Sequence, residues 1–80
     1  MVRDFTEYSI NCEYLGIIEF EETGNYYYVV IRNGMIQAGS ATNTGLIVEF
    51  EYGYDDDLNK EANLLVFYER LLEYDQSKSV

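Results

Sequence analysis

The side chains best able to do chemistry in this chain are carboxylates, because its 80 residues include 15 aspartates and glutamates, one cysteine and no histidine. One run of oxygen donors alternates as in a calcium-binding loop: Asp55, Asp56, Asp57, Asn59 and Glu61. Such a loop needs an invariant glycine where this chain has Lys60, and a closing bidentate glutamate where it has Val66. We therefore expect the run to cap a following helix rather than to bind a metal.

Two pairs of glutamates have the spacing of catalytic acids on a strand: Glu19 with Glu21, and Glu49 with Glu51. Alternate residues of a strand project to one face, so the members of each pair would lie side by side. Such pairs are common on solvated sheets, and the chain lacks the tryptophan and histidine that would support a glycosidase. Cys12 alternates with polar residues and has no cationic helper, which favours a core position over a nucleophile. The sequence therefore predicts no enzymatic activity, no cofactor and no metal site.

The formal charge of −10, from 15 acidic and 5 basic side chains, restricts the partners of this chain. Direct nucleic-acid binding needs lysine and arginine to displace counterions from phosphates, so a basic protein surface is the expected partner instead. A single cysteine cannot form an internal disulfide and suits a reducing compartment. Because no stretch approaches the ~20 apolar residues of a membrane span, we predict a cytoplasmic protein without membrane contact.

Alternating apolar and polar residues predict the strands that hold these side chains. Residues 8–20 alternate throughout, and Gly16 is the expected bulge within this long strand. A turn at residues 23–25 leads to a second strand at residues 26–32, and residues 46–54 alternate again. These segments predict an antiparallel meander.

Asn33 and Gly34 lie between two apolar runs and are the strongest local signal for a hairpin. Both central residues of a type I′ turn have positive φ, which asparagine and glycine tolerate. The turn places Ile31 opposite Ile36.

Helical spacing replaces alternation over residues 57–75. One arc of this helix is apolar and is predicted to face the sheet: Leu58, Leu64, Leu65, Tyr68, Leu71 and Leu72. The predicted solvent face contains Asn59, Asn63, Glu69, Arg70 and Glu73. Residues 76–80 are expected to form a frayed tail. The sequence thus predicts one small domain over residues 1–80, of the α+β class: an antiparallel β-meander of three to four strands followed by one C-terminal amphipathic helix packed on the sheet, in two layers.

The two faces of the predicted sheet are both partly apolar. Val48 and Phe50 are assigned to the face that meets the helix. The opposite face, set among glutamates, still carries Leu15, Ile17, Tyr26, Tyr28, Val30, Met35 and Ile47. Apolar residues on the outer face of an antiparallel sheet indicate a contact surface, and tyrosine is enriched in interfaces. We expect self-association as a homodimer, through Ile17, Tyr26, Tyr28 and Val30.

Two functions are compatible with these patterns. In the first, the chain is a small non-enzymatic interaction module whose carboxylates imitate a nucleic-acid backbone and inhibit a basic DNA- or RNA-handling protein. In size, charge and lack of catalytic groups it is similar to small phage-encoded anti-restriction and anti-CRISPR proteins, although it shares no sequence motif with them. In the second, it is a structural or adaptor homodimer whose acidity serves only solubility. The residues expected to bind the partner are Glu19, Glu21, Glu49, Glu51, Asp55, Asp56 and Asp57.

Overall fold

The computed structural model describes residues 12–43 and 45–78, which form one sheet and one helix. The elements, in chain order, are β1 (Cys12–Phe20), β2 (Asn25–Arg32), β3 (Met35–Thr42), β4 (Gly45–Gly53) and α1 (Lys60–Lys78). Each strand pairs antiparallel with its neighbours in the order β1-β2-β3-β4, and α1 packs on one face. The predicted α+β fold is confirmed, with four strands. Residues 8–11, which the sequence assigned to the first strand, lie outside the described residues.

The β2–β3 hairpin has the predicted turn and register. Asn33 and Gly34 have φ values of 55° and 75°, as a type I′ turn requires. Ile31 pairs with Ile36 on the face that meets α1, which we call the helix face. This turn therefore sets which side chains of β2 and β3 reach the core.

A bulge in β1 reverses the faces on which its residues lie. The register shifts between Tyr14 and Gly16, so side chains before and after this point follow opposite alternations. Leu15, predicted on the outer face, packs against the core. Cys12, predicted to be a core residue, is half-buried, pairs with Arg32 and lies on the outer face. That prediction is wrong because the bulge lies between Cys12 and the strand's core residues.

A second bulge, in β4, has a similar effect. Ala38 pairs with Phe50, but the next residue of β3, Gly39, pairs with Val48, which leaves Glu49 without a cross-strand partner. Phe50 packs on the helix face, against the ring of Phe67 at a centroid distance of 5.7 Å. Val48 shares the outer face with Gly39, because directly paired residues project to the same side. The assignment of Val48 to the helix face is therefore wrong.

The helix is rotated relative to the predicted arc. Its buried residues recur every four positions: Asn63, Phe67, Leu71 and Asp75. Leu65, predicted to face the sheet, is 68% exposed. Asn63, predicted to face solvent, is buried at 4% exposure. The predicted arc is wrong because hydrophobicity alone determined it, whereas two of the four buried residues are polar and form hydrogen bonds.

The ends of α1 also differ from the prediction. The helix begins at Lys60, and the side-chain oxygen of Asn59 caps it by accepting from the N–H of Ala62 at 2.7 Å. Asp55 instead accepts from the N–H of Asp57 at 2.9 Å within the preceding turn, so the prediction that the aspartate run caps the helix is wrong. Residues 76–78, assigned to a frayed tail, are helical, and residues 79–80 lie outside the described part of the chain.

The core lies between the helix and the helix face of the sheet. Its buried apolar residues are Phe20, Tyr27, Val29, Ile36, Ala38, Phe67 and Leu71. Strands β1, β2 and β3 and helix α1 all contribute to it, so the fold has one continuous core.

Candidate functional site

Five of the seven predicted partner-binding carboxylates lie at two opposite ends of the sheet. Glu19 is near the end of β1, and Glu21 begins the turn into β2. Asp55, Asp56 and Asp57 follow β4 beside the other turn, where the N–H of Tyr54 donates to the carbonyl of Gly34 at 2.9 Å. The eight residues of β2 separate these two turns. The two acidic groups are therefore roughly 25 Å apart, at ~3.3 Å per residue of strand.

Glu49 and Glu51 do not share a face. Glu49 lies beside the helix, where its Oε1 accepts from the hydroxyl of Tyr74 at 3.0 Å and forms an ion pair with Lys78. Glu51 pairs with Gln37, whose Nε2 donates to the Glu51 Oε1 at 3.1 Å on the outer face. The prediction of a side-by-side pair is wrong, because the β4 bulge at Glu49 reverses the alternation between them.

Most of the basic side chains are already engaged within the chain. Three of the four lysines and arginines in the described residues form ion pairs: Lys60 with Glu13, Arg70 with Glu73, and Lys78 with Glu49. Within residues 12–43 and 45–78, the three glutamates at one end of the sheet, Glu19, Glu21 and Glu22, therefore form no ion pair with any of these cations.

A cavity of about 390 Å³ opens at this end of the sheet. We call it the acidic pocket, and the residues that define it are Glu19, Glu21, Glu22, Phe20, Tyr68 and Leu72. The rings of Phe20 and Tyr68 are in contact, with centroids 5.5 Å apart. The pocket therefore combines an apolar wall with a rim of carboxylates, which suits the long side chain of lysine or arginine.

A second cavity, of about 380 Å³, lies between β1 and the helix. We call it the edge groove, and its lining includes Leu15, Ile17, Ile18, Leu64, Leu65 and Tyr68. Glu61 is the one charged residue that lines it. Tyr68 belongs to both the edge groove and the acidic pocket, so the two cavities adjoin along the same side of the helix.

Asp75 is the most buried charged side chain of the described residues, at 0% exposure. It accepts hydrogen bonds from the hydroxyl of Thr23 at 2.5 Å, the amide of Asn25 at 2.8 Å and the hydroxyl of Tyr27. We call these four residues the Asp75 cluster. It joins the C-terminal end of α1 to the β1–β2 turn, beside the acidic pocket.

The Asp75 cluster changes the proton affinity of its members. Burial alone would raise the pKa of Asp75, but the hydrogen bonds from Thr23, Tyr27 and Asn25, together with the charge of Lys78, leave that pKa below its ordinary value. Burial and the hydrogen bond to Asp75 raise the pKa of Tyr27 to about 12. Asp75 is therefore a carboxylate and Tyr27 a neutral donor at neutral pH.

Asn63 forms a second buried group of hydrogen bonds, at the N-terminal end of the helix. Its side-chain carbonyl accepts from the N–H of Asp55 at 2.7 Å. Its amide donates to the carbonyls of Asp55, Leu58 and Asn59 at 2.9, 3.2 and 2.9 Å. The Asn63 cluster, defined by these four residues, therefore holds the β4–α1 loop and the acidic run within it against the start of the helix.

The residues predicted for self-association differ in exposure. Ile17 and Tyr26 are 52% and 59% exposed, whereas Val30 is buried at 2% and Tyr28 is half-buried. Ile17 pairs with Tyr28 and so shares the outer face with it. Val30 offers almost no area to a second copy, so the predicted surface reduces chiefly to Ile17 and Tyr26. Self-association itself stays a prediction.

The sequence reasoning missed Asp75, Asn63, Glu22 and the edge groove. A signal for the first two was present, because residues 63, 67, 71 and 75 have the spacing of one helix face. The edge groove had no local signal, since it depends on the β1 bulge and on the rotation of the helix.

Within residues 12–43 and 45–78, no group of three or more cysteines, aspartates and glutamates is arranged to hold a metal ion. In the same part of the chain, α1 lacks the length of apolar sequence needed to cross a bilayer. Comparison with protein-family models, curated proteins and solved structures found no match.

Proposed function

We propose that this chain is a non-catalytic interaction module that binds a basic protein surface through the acidic end of its sheet. The observation that carries this proposal is the set Glu19, Glu21 and Glu22 around an apolar wall, which pairs with no lysine or arginine of the described residues. Carboxylates that face an exposed cavity without an internal cation can exchange water for the lysines or arginines of a partner. The lack of histidine supports a binding role rather than a catalytic one.

The distribution of charge favours a local contact over imitation of a nucleic-acid backbone. A mimic needs a continuous row of charges, because phosphates recur about every 3.4 Å along a strand of duplex DNA. Here the carboxylates of Glu19 and Glu21 are separated from the Asp55–Asp57 run by the length of β2, and Glu49 and Glu51 lie on opposite faces. We propose one acidic contact site, in a protein of the cytoplasm, where a lone cysteine stays reduced.

Two triple variants with the same change in charge test the proposal. The test variant replaces Glu19, Glu21 and Glu22 with glutamine, and the control replaces Asp55, Asp56 and Asp57 with asparagine. Wild-type and variant proteins are immobilised, exposed to a cell lysate and eluted with a salt gradient. We expect wild type and control to retain basic proteins that elute as salt rises, because surface charges are screened within about 8 to 10 Å. The test variant loses them.

Three results would contradict the proposed function: retention that ignores salt, retention of acidic proteins only, or equal losses in both variants. Addition of DNA or RNA during capture separates the local contact from mimicry. A mimic and a nucleic acid compete for one site on the partner, whereas a local contact elsewhere on the partner leaves both bound.

A further inference from the structure

Strand β1 lies at one edge of the sheet, because β2 is its only neighbour among the described strands. After the bulge, β1 is in regular register with β2 from Gly16, opposite Val29, to Phe20, opposite Asn25. The other side of an edge strand presents backbone N–H and C=O groups to an incoming chain. Residues 16–20 therefore form a short template, in regular register, for one more strand.

The edge groove lies directly beside this template. Leu65 is 68% exposed on the helix side of the groove. Leu15, Ile18 and Leu64 contact the core and line the groove more deeply. An apolar side chain on an added strand would enter this groove and remove that surface from water.

The acidic pocket continues the same path toward the β1–β2 turn. Tyr68 lines both cavities, and residues of α1 form one wall of each, so both open on the helix face of the sheet. Side chains on one face of a strand are separated by an even number of residues. A single extended segment can therefore fill the groove and the pocket with two side chains that are separated by an even number of residues.

We propose that the edge groove and the acidic pocket together bind one extended segment of the basic partner, which adds as a strand to residues 16–20 of β1. The segment places an apolar side chain in the edge groove and, an even number of residues away, a lysine or arginine beside Glu21 and Glu22. This inference rests on the proposed function and specifies the partner's chemistry. Backbone hydrogen bonds supply affinity, and the two cavities select the sequence.

Charge complementarity selects this occupant over a second copy of the chain. A second copy carries the same charge of −10 and would bring its own glutamates to the same rim. Like charges brought together at an interface oppose association, whereas lysine or arginine on a partner strand is attracted to it. Glu61, at the other side of the groove, adds to this preference.

A displayed library of random peptides tests the inference without knowledge of the natural partner. We expect selection on the wild-type protein to enrich peptides with an apolar residue and a lysine or arginine separated by an even number of residues. The Leu65→Glu variant should bind the enriched peptide more weakly by about tenfold or more, because a carboxylate blocks the apolar groove. Leu65 is exposed on the helix, so this change leaves the fold intact.

The matched control is Ile47→Glu, which alters an apolar residue of similar exposure, 62%, on the opposite edge strand. It should change affinity by less than about twofold. Titration of labelled wild-type protein with the enriched peptide should shift the backbone amides of residues 16–20 and slow their hydrogen exchange, because these amides gain strand partners. Amides of β4 should not respond.

The outcomes separate this inference from the proposed function. Salt-sensitive capture of basic proteins that survives Leu65→Glu would overturn strand addition and leave the proposed function standing. If the wild-type protein captures no basic proteins in a salt-sensitive manner, both the proposed function and strand addition are overturned. The inference would also be overturned if the library gave no enriched peptides, or only peptides without basic residues. Self-association of the wild type that Leu65→Glu abolishes would overturn it too, because a second copy would then occupy the groove.

Discussion

The helix has a polar cluster at each end, and the two clusters use different chemistry. At the N-terminal end, Asn63 exchanges neutral hydrogen bonds with the backbone of the loop that precedes it. At the C-terminal end, Asp75 is a buried carboxylate that accepts from three side chains of the β1–β2 turn and the start of β2. The first cluster orders a neighbouring segment, whereas the second connects two layers of the fold.

This difference predicts which cluster is more sensitive to change. A hydrogen bond to a charged group contributes about twice as much as one between neutral groups. The Asp75 cluster also depends on protonation, whereas the Asn63 cluster has no group that titrates in its buried hydrogen bonds. The free energy of unfolding, its dependence on pH, and the additivity of the changes in a double variant can each distinguish the two clusters.

The largest effect is expected for Asp75→Ala. The change removes three hydrogen bonds to a buried charge and leaves the donors Thr23, Asn25 and Tyr27 unsatisfied. We expect a loss of roughly 3 to 5 kcal/mol in the free energy of unfolding, by analogy with buried networks broken from one side. Urea denaturation followed by circular dichroism measures it. A loss below about 1 kcal/mol would show that the cluster is not a principal contact between the layers.

A smaller effect is expected for Asn63→Ala. It removes one acceptor and one donor group that serve the backbone of Asp55, Leu58 and Asn59, at a cost of roughly 2 kcal/mol for neutral hydrogen bonds. The double variant with Asp75→Ala should be additive, because the two residues are about 18 Å apart along the helix, at ~1.5 Å per residue. A coupling of about 1 kcal/mol or more would mean that the ends act as one unit.

The smallest expected effect is a difference in acid sensitivity. The pKa of Asp75 is lowered in the folded state, so its stabilisation is fully present above the unfolded value of about 3.9 and is lost as pH falls through the lower folded value. Asp75→Asn should remove this part of the acid-induced loss, whereas Asn63→Ala should retain it. Unfolding free energies measured from about pH 6 to pH 2 provide the comparison. Identical acid profiles for wild type and Asp75→Asn would contradict the lowered pKa.

The sequence predicted the features that depend on local pattern. Alternation located the strands, and Asn33 with Gly34 determined the β2–β3 register, because both signals lie within a few residues of the structure that they specify. The bulges were only partly predictable. Gly16 indicated the first, but the one beside Glu49 depends on how β4 meets β3, and a shift of one residue reverses every following side chain.

The candidate site was harder to predict for the same reason. Glu19 and Glu21 were identified from their charge, but their association with Phe20, Tyr68 and Leu72 depends on the rotation of the helix. That rotation is set by Asn63 and Asp75, which hydropathy assigns to the surface. The two bulges and the rotation of the helix therefore account for most of the errors, because each depends on contacts between elements that no local window contains.

The order of the strands has a further consequence, for the rates at which this domain folds and unfolds. Every strand pairs with its neighbour in the chain, whereas the bond between Thr23 and Asp75 joins residues separated by 52 positions. Contacts between near neighbours close at low entropic cost and form early, and contacts across long separations form late. Interactions absent from the folding transition state act on the unfolding rate alone. We therefore expect changes in the Asp75 cluster to alter how long each molecule stays folded, and changes in the meander to alter how quickly it folds.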